Sequence, residues 1–319
     1  MFISFIIPAY NVESYIERCI ESICNQNFSI HLYEVIVVND GSTDNTLSII
    51  KSLIAKYQGH KIILIDKPNG GLSSARNIGI SQATGKYVWF VDSDDYIANN
   101  CLEHIYQNIQ KYNELDVFAF NMIYIYDNGS SNKNNRRLPV GRYITGSELF
   151  LKDFRYPYSG VQFAIYKQSY LQSLHLNFKE GIFFEDILYT TTLMASNPKC
   201  VFVDKIYYHY YIRTGSITNS KSSIKKCLDI LSVADELNKL TGHEGHYNHI
   251  VLYNQIARLL PSIYRYRLHG LSIKETLYVL QNICYRKYWL KSIIVSKKYK
   301  YFPYLFLNYT VRLLLHICV

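Results

Sequence analysis

Val88-Trp89-Phe90-Val91-Asp92-Ser93-Asp94-Asp95 is the stretch that decides how this chain is read. An apolar run of strand character ends abruptly in three carboxylates within four positions. In open α/β sheets, ligands gather beyond the carboxyl ends of the strands. Carboxylates this close repel each other, and a divalent cation relieves the repulsion. Hard cations such as Mg²⁺ and Mn²⁺ take oxygen ligands, and Mg²⁺ commonly shares its shell with substrate phosphates. Asp92, Asp94 and Asp95 therefore point to a cation that holds a phosphorylated ligand. A polar turn that caps the next helix is the plainer alternative.

The flanking sequence has the context the first reading needs. Ile3 to Ile7 reads as a buried strand, stopped at Pro8-Ala9-Tyr10-Asn11. A helical pattern follows, with Tyr15, Cys19, Ile20 and Ile23 on one face. Val35 to Val38 is a second strand that runs into Asn39-Asp40-Gly41-Ser42-Thr43-Asp44. Its helix carries Leu47, Ile50 and Leu53 or Ile54 at helical spacing. A third strand, Ile62 to Ile65, precedes Asn69-Gly70-Gly71-Leu72-Ser73-Ser74-Ala75-Arg76-Asn77 and a third helix. Val/Ile runs alternating with amphipathic helices predict a parallel sheet covered on both faces.

Four segments, at 8–11, 39–44, 71–77 and 92–95, resemble the glycosyltransferase family 2 enzymes in content, order and spacing. The resemblance is strong over residues 1–100, weaker to about 220, and absent from the last hundred. It implies an α/β, A-type glycosyltransferase fold with a mostly parallel central sheet flanked by helices, plus a helical C-terminal extension. The expected organisation is a nucleotide-sugar-binding half (1–97), an acceptor-binding half of the same catalytic domain (98–220) and a helical basic extension (221–319).

A sugar nucleotide presents a flat base, a ribose and a charged diphosphate. Asp40, at the end of the second strand, can accept hydrogen bonds from a base N–H. The resemblance has it read uracil over a floor of Pro8, Ala9 and Tyr10; an Asx turn with Ser42 or Thr43 capping the next helix is the structural alternative. Gly70 and Gly71 permit close backbone approach, and Ser73 or Ser74 can cap the helix. Arg76, in the first turns of that helix, is disfavoured by the helix dipole, an effect a diphosphate offsets by charge-assisted hydrogen bonds. An ordinary surface arginine, and a structural amide at Asn77, are the alternatives. The resemblance makes Asp92-Ser93-Asp94 the DxD-type motif, with Asp94 the principal metal ligand. Asp92 would contact ribose or metal-bound water, and Asp95 would be a second ligand or a helix cap. Mn²⁺ or Mg²⁺ would act as Lewis acid on the departing nucleoside diphosphate.

Glu185-Asp186 follows Gly181-Ile182-Phe183-Phe184. Adjacent residues on a helix face different ways, so the two acids are expected to have separate roles. An apolar setting raises a carboxyl pKa and makes a better base. The resemblance makes Asp186 the general base and Glu185 a positioning residue; an acidic helix start is the alternative. One base against a diphosphate leaving group implies single-step displacement with inversion. Tyr207 to Thr218 resembles the family's tyrosine-rich segment, with His209 a further metal ligand or diphosphate contact and Arg213 and Ser216 a phosphate clamp. The chain departs from the family at Gln162-Phe163-Ala164, which leaves the contact made there open.

Seven cysteines lie scattered, without zinc-type spacing or a disulfide framework, and no signal peptide precedes the first strand, so a cytoplasmic location is expected. Asp127 to Arg137 reads as a polar surface loop. The charge is uneven. Residues 261–319 hold ten Lys or Arg against the single acid Glu275, which accounts for the net +9 of the whole chain. Aromatics interleave these cations, as suits a membrane interface. Phe302 to Val319 is apolar but too short for a span, with Asn308, Arg312 and His316 as a polar stripe. It reads as a helix on the inner face of the cell membrane, or as a terminal helix packed on the domain.

The expected partners are a nucleoside diphosphate sugar, UDP-linked, a glycan or lipid-linked glycan acceptor of bacterial surface polysaccharide, and the membrane surface. Nucleic acid is not expected, because it would explain the tail and none of the acidic sites. Nucleotidyl transfer would need a glycine-rich basic loop where Pro8-Ala9-Tyr10-Asn11 stands. A non-catalytic sugar-nucleotide or membrane-binding protein is the alternative from another class.

Overall fold

The computed structural model describes residues 1–133, 138–152, 160–213, 223–243, 245–264 and 270–306. The chain forms two compact units. One comprises Met1–Thr145, Gly160–Gly181 and Pro198–Thr214; the other comprises Gly146–Ser159, Ile182–Asn197 and Gly215–Val319.

The first unit is built on one sheet. Its first half holds β1 (Ile3–Ala9), α1 (Ile16–Cys24), β2 (Tyr33–Asp40), α2 (Thr46–Lys56), β3 (Ile62–Lys67), α3 (Leu72–Gln82) and β4 (Tyr87–Phe90). β5 (Tyr96–Ile97), α4 (Cys101–Gln110), β6 (Val117–Tyr126), β7 (Ser131–Lys133) and β8 (Tyr143–Thr145) follow. In the second unit, α5 (Gly146–Lys152) comes next; β9 (Ala164–Lys167) and α6 (Gln168–Ser173) return to the first. After α7 (Glu185–Ala195) of the second unit, β10 (Lys199–Ile212) completes the sheet.

The strand order is β3-β2-β1-β4-β9-β6-β10-β5, with β7 on β6 and β8 on β10. β3, β2, β1 and β4 pair in parallel, as the Val/Ile runs predict. Every residue of β1, β2 and β4 is buried, whereas β3, at the edge, is half-exposed. Beyond β4 the sheet is mixed. β9 is antiparallel to both β4 and β6, which makes room for the parallel pair β6–β10. The expectation of a mostly parallel sheet thus holds over β1 to β4, and beyond them the sheet is mixed. β9 is a four-residue strand (AIYK) whose direction no local pattern encodes. The expected loop at 127–137 is in part a hairpin, because β7 pairs antiparallel with β6; residues 134–137 lie outside the described residues.

α3 lies close on β1 because Gly79 has no side chain; a Cβ there would meet Ile6 Cγ2 at 2.4 Å. β10 follows β6 with register shifts between Val203 and Ile206 and between Ile206 and Tyr208. Such irregularities re-aim the residues that follow. Here they precede Tyr208–Tyr211, which meet the acidic turn.

The second unit is helical: α5, α7, α8 (Ile224–Leu240), α9 (His249–Ser262), α10 (Ile273–Cys284) and α11 (Tyr288–Val295). α7 packs on α5, α8 and α9, and α9 also holds α11. The Glu185-Asp186 segment therefore groups with the tail helices, and the division does not fall at residues 97 and 220. Arg286 grips both carboxylate oxygens of Asp235 at 2.8 and 2.7 Å, and the Tyr288 hydroxyl adds a bond of 2.7 Å, which ties α8 to the chain after α10. Asn308, Arg312 and His316 lie outside the described residues. Among those described, no helix is long and apolar enough to cross a membrane.

Candidate functional site

In the sheet unit, β4 ends at Phe90 and the chain turns at once, with Asp95 N donating to Asp92 O at 3.0 Å. β5 then pairs antiparallel with β10, Tyr96 opposite His209. The acidic turn is thus held between a parallel strand end and the far end of β10. Ser93 is buried within it.

Each carboxylate in the turn has different partners. Asp95 is fully buried; its Oδ2 accepts from the Tyr208 hydroxyl at 2.6 Å and its Oδ1 from Tyr211 N at 2.7 Å. Tyr208 in turn accepts from Asp92 N at 3.1 Å. Asp95 is therefore an anchor between the turn and β10, and neither the second ligand nor the helix cap expected of it. Burial, and then the charges of Asp94 and Asp92, push its carboxyl well above the usual range, against the bonds from Tyr208 and Tyr211. Asp92 Oδ1 pairs with Arg76 at 2.8 Å, and Asp94 Oδ2 with Arg213 Nε at 2.8 Å. Burial and then Asp92 raise the Asp94 carboxyl, which Arg213 opposes.

Arg76 is not a surface arginine. It is buried in α3, bound to Asp92, with its guanidinium 5.3 Å from the Phe178 ring centre. The arginine expected to offset a dipole cost with diphosphate does so with Asp92. The flanking side chains are structural as well. Asn77 exchanges two hydrogen bonds with the Phe178 backbone, and Ser73 donates to Lys179 O at 2.8 Å. Neither Ser73 nor Ser74 caps α3, which starts after Gly71 at φ +87°.

Asp40, at the end of β2, accepts from Gly70 N at 2.9 Å and Gly71 N at 2.8 Å, and pairs with Lys67. Its carboxylate holds the Gly70-Gly71 turn; the base contact expected of it would have to share these oxygens. Pro8 and Ala9 are buried in β1, and Tyr10 stands out with 49% of its surface exposed. Asp44, rather than Ser42 or Thr43, bonds the start of α2, accepting from Thr46 N at 3.0 Å.

Sequence reasoning missed Arg18. Its guanidinium lies 4.6 Å from the Tyr96 ring centre and 4.2 Å from that of Tyr211, and donates to Asp94 O at 2.8 Å. Tyr96 stacks on His209 at 4.6 Å with planes 5° apart, and Arg213 lies 5.1 Å from the Tyr15 ring. Cations between aromatic faces are held by the ring quadrupoles. Asp94 is thus gripped at its carbonyl by Arg18 and at its carboxylate by Arg213. The local signal for Arg18 was weak: a charge beside Cys19 on the buried side of α1.

Asp92 and Asp94 each keep one carboxylate oxygen outside their ion pairs. Two hard oxygens with mutual repulsion fit a cation completed by phosphate and water, the usual mode for Mg²⁺. His209 does not complete a cage, since no group of three or more His, Cys, Asp and Glu side chains converges on a metal position among the described residues. Burial, and then Arg18, lower the His209 pKa, which keeps the ring neutral; its buried Nδ1 has no hydrogen-bond partner among the described residues. Ser216 lies outside the described residues.

In the helical unit, Phe184 adopts φ +67° and α7 begins at Glu185. Glu185 is buried and Asp186 half-buried. Asp186 Oδ1 accepts from Ile187 N at 2.8 Å. Asp229 of α8 accepts from Phe183 N and from Lys225, both at 2.9 Å, and the ammonium groups of Lys225 and Lys226 lie 5.4 and 5.6 Å from the Phe183 ring. The acidic pair therefore follows a segment fixed by α8, which the sequence did not signal.

Residues 4–174 match the sequence model of glycosyl transferase family 2. The glycosyltransferase GlyA of Streptococcus pneumoniae is 30% identical over 81% of this chain and 37% of its own length. GlyG of the same organism is 30% identical over 72% of this chain and 77% of its own. The poly(ribitol-phosphate) beta-N-acetylglucosaminyltransferase TarS of Staphylococcus aureus is 32% identical over 68% of this chain and 37% of its own. The crystal structure of TarS residues 1–349 with UDP-GlcNAc superposes with a TM-score of 0.73 at 24% identity, over 92% of this chain and 82% of that one, so the two share the A-type fold. The chain thus spans little more than a third of GlyA and of TarS. By its motifs, its sheet and these matches, the chain belongs to glycosyl transferase family 2.

Proposed function

We propose that this chain transfers a sugar from a UDP-sugar to a glycan hydroxyl with inversion, in the assembly of a bacterial surface polysaccharide. The observation that carries the reading is the acidic turn at the end of β4, with two carboxylates held by arginines in a family 2 chain. The UDP-GlcNAc bound by TarS supports a uridine donor, and the poly(ribitol-phosphate) acceptor in that relative's name supports a cell-surface glycan. Asp94 and Asp92 would hold Mn²⁺ or Mg²⁺, which supplies Lewis acidity to the departing diphosphate. Tyr10 offers a ring to the base, and Asp40 shapes the Gly70-Gly71 turn for the donor. Arg213 moves from Asp94 to the diphosphate as the donor binds. Asp186 takes the proton of the acceptor hydroxyl, and Glu185 positions it. A lipid-linked acceptor would bring the protein to the inner face of the membrane through its basic tail.

The test is nucleoside diphosphate release across a panel of sugar nucleotides with Mn²⁺, with and without chelator, beside Asp94→Ala and Asp186→Asn. Chelator-sensitive release from a uridine donor, lost in both variants, is the expected result. Absence of both release and metal-dependent nucleotide binding by calorimetry would overturn it and favour a protein without turnover.

A further inference from the structure

α11 and the residues after it form a face that neither acidic site uses. α11 buries Trp289, Ser292 and Ile293 and packs against α9. Its other side carries Leu290, Ile294 and Val295, each more than a third exposed, with Lys287 and Lys291 exposed beside them. Leu290 and Ile294 are four residues apart and so lie one above the other. The chain then presents Tyr299 and Phe302, stacked at 5.8 Å and 15°, and Phe306, 73% exposed. Lys297 and Lys300 are exposed among them.

Scattered exposed apolar residues are ordinary; a run of them interleaved with one sign of charge is not. Residues 270–306 hold seven Lys or Arg against one acid, Glu275. That acid is occupied in a capping box with Ser272 at the start of α10. Lys298, half-buried, has its pKa pushed down to about 8 by burial and then by Arg258 and Lys300.

We infer that this face docks on an anionic lipid bilayer. Leu290, Ile294, Val295, Tyr299, Phe302 and Phe306 enter at headgroup depth, while Lys287, Lys291, Lys297 and Lys300 meet the anionic headgroups. Aliphatic side chains favour lipid over nucleic acid, whose bases stack on rings and guanidinium groups. The inference deepens the membrane contact proposed above and rests on it.

The test is co-flotation of the full chain, without donor, on vesicles of phosphatidylcholine alone or mixed with phosphatidylglycerol. The wild-type chain is expected to float with the mixed vesicles only, and to release at high salt. Leu290→Glu with Ile294→Glu should lower the bound fraction by about tenfold or more. Charge reversal of the four lysines should do the same, since basic residues near such a surface are attracted by its anionic headgroups. All these positions are exposed, so thermal melting should stay at the wild-type value; if the apolar variant fails to fold, the lysine variant decides. Wild type floating with neither vesicle would overturn the face and the membrane contact together, while sugar-nucleotide turnover still tests the transferase reading. Wild type and both variants floating alike would overturn the face alone. Self-association that Leu290→Glu with Ile294→Glu abolishes, without vesicle binding, would make the face a protein interface and overturn the inference.

Discussion

Asp94-Asp95 in the sheet unit and Glu185-Asp186 in the helical unit are both adjacent carboxylates, yet they are built differently. At 94–95 the backbone turns, and the side chains part: Asp95 goes inward to Tyr208 and the Tyr211 amide, and Asp94 goes to Arg213. At 185–186 a positive φ at Phe184 starts a helix, Glu185 is buried, and Asp186 is half-buried. Adjacency in sequence thus divides labour in both places, but by opposite means. In the turn the second carboxylate is the buried one; at the helix start it is the first.

The comparison breaks most sharply in activity. On the proposed function, Asp186→Asn should lower the rate of sugar transfer by about 10²–10⁴, the range for loss of a general base, with donor binding unchanged. Asp94→Ala should instead weaken metal-dependent nucleotide binding as well as turnover. Calorimetry with UDP and Mn²⁺ beside steady-state rates separates the two; equal loss of nucleotide binding in both variants would erase the distinction.

Next comes stability. Asp95→Ala leaves the half-buried Tyr211 amide and the buried Tyr208 hydroxyl without their acceptor, and should cost about 1–3 kcal/mol in chemical denaturation. Asp95→Asn keeps an oxygen for Tyr211 N and removes a buried charge, but faces the Tyr208 hydroxyl with an amide donor and so leaves its O–H without an acceptor. It should melt between the Ala variant and the wild type. An Asn variant as unstable as the Ala variant would mean that the charge itself holds the turn.

What could be read in advance follows the range of the interactions. β1, β2 and β4 are buried on both faces, so their Val/Ile runs show in any window. The acids were legible because they cluster in the chain. Partners far apart in sequence were not: Asn77 and Ser73 bond residues 101 and 106 positions away, and Arg18 lies between Tyr96 and Tyr211. Arg76 was read as a diphosphate contact and Asp95 as a second ligand or a helix cap; motif membership alone did not signal their partners here, Asp92 for Arg76 and Tyr208 for Asp95. The grouping of 182–197 with the tail helices depends on the packing of α7, which no composition shift marks.

A buried carboxylate outside both acidic pairs sharpens the contrast. Glu34 on β2 is fully buried, and burial alone would raise its pKa. Hydrogen bonds from Lys61, Ser4 and Thr84 outweigh that and hold it below the usual value. Asp94 and Asp95 shift the other way because burial, and then the charges of neighbouring aspartates, outweigh the hydrogen bonds each accepts. A depressed folded-state pKa contributes stability that is present above the unfolded value and lost as pH falls through the folded one. Glu34→Gln should therefore cost about 1–2 kcal/mol near neutrality, and the difference from wild type should shrink on acidification below the ordinary glutamate range. A difference independent of pH would assign the effect to packing.

The smallest expected effect concerns the proposed cation site. Arg213 occupies one oxygen of Asp94, and both side chains are about a quarter exposed, 24% and 22%. A partly exposed ion pair of this kind is worth about 0.2–1 kcal/mol. A divalent cation arriving without nucleotide must share or displace that guanidinium, whereas a diphosphate gives Arg213 somewhere else to go. Arg213→Gln should therefore tighten Mn²⁺ binding to the nucleotide-free chain by up to about fivefold. With UDP present the order should reverse, because the wild type then gains the arginine's contact with the diphosphate. Mn²⁺ titration by electron paramagnetic resonance reads both states directly. Tighter binding by the wild type in both would show that Arg213 organises Asp94 for the cation instead of competing with it, and the turn would then be as pre-set for its ligand as Asp95 is for β10.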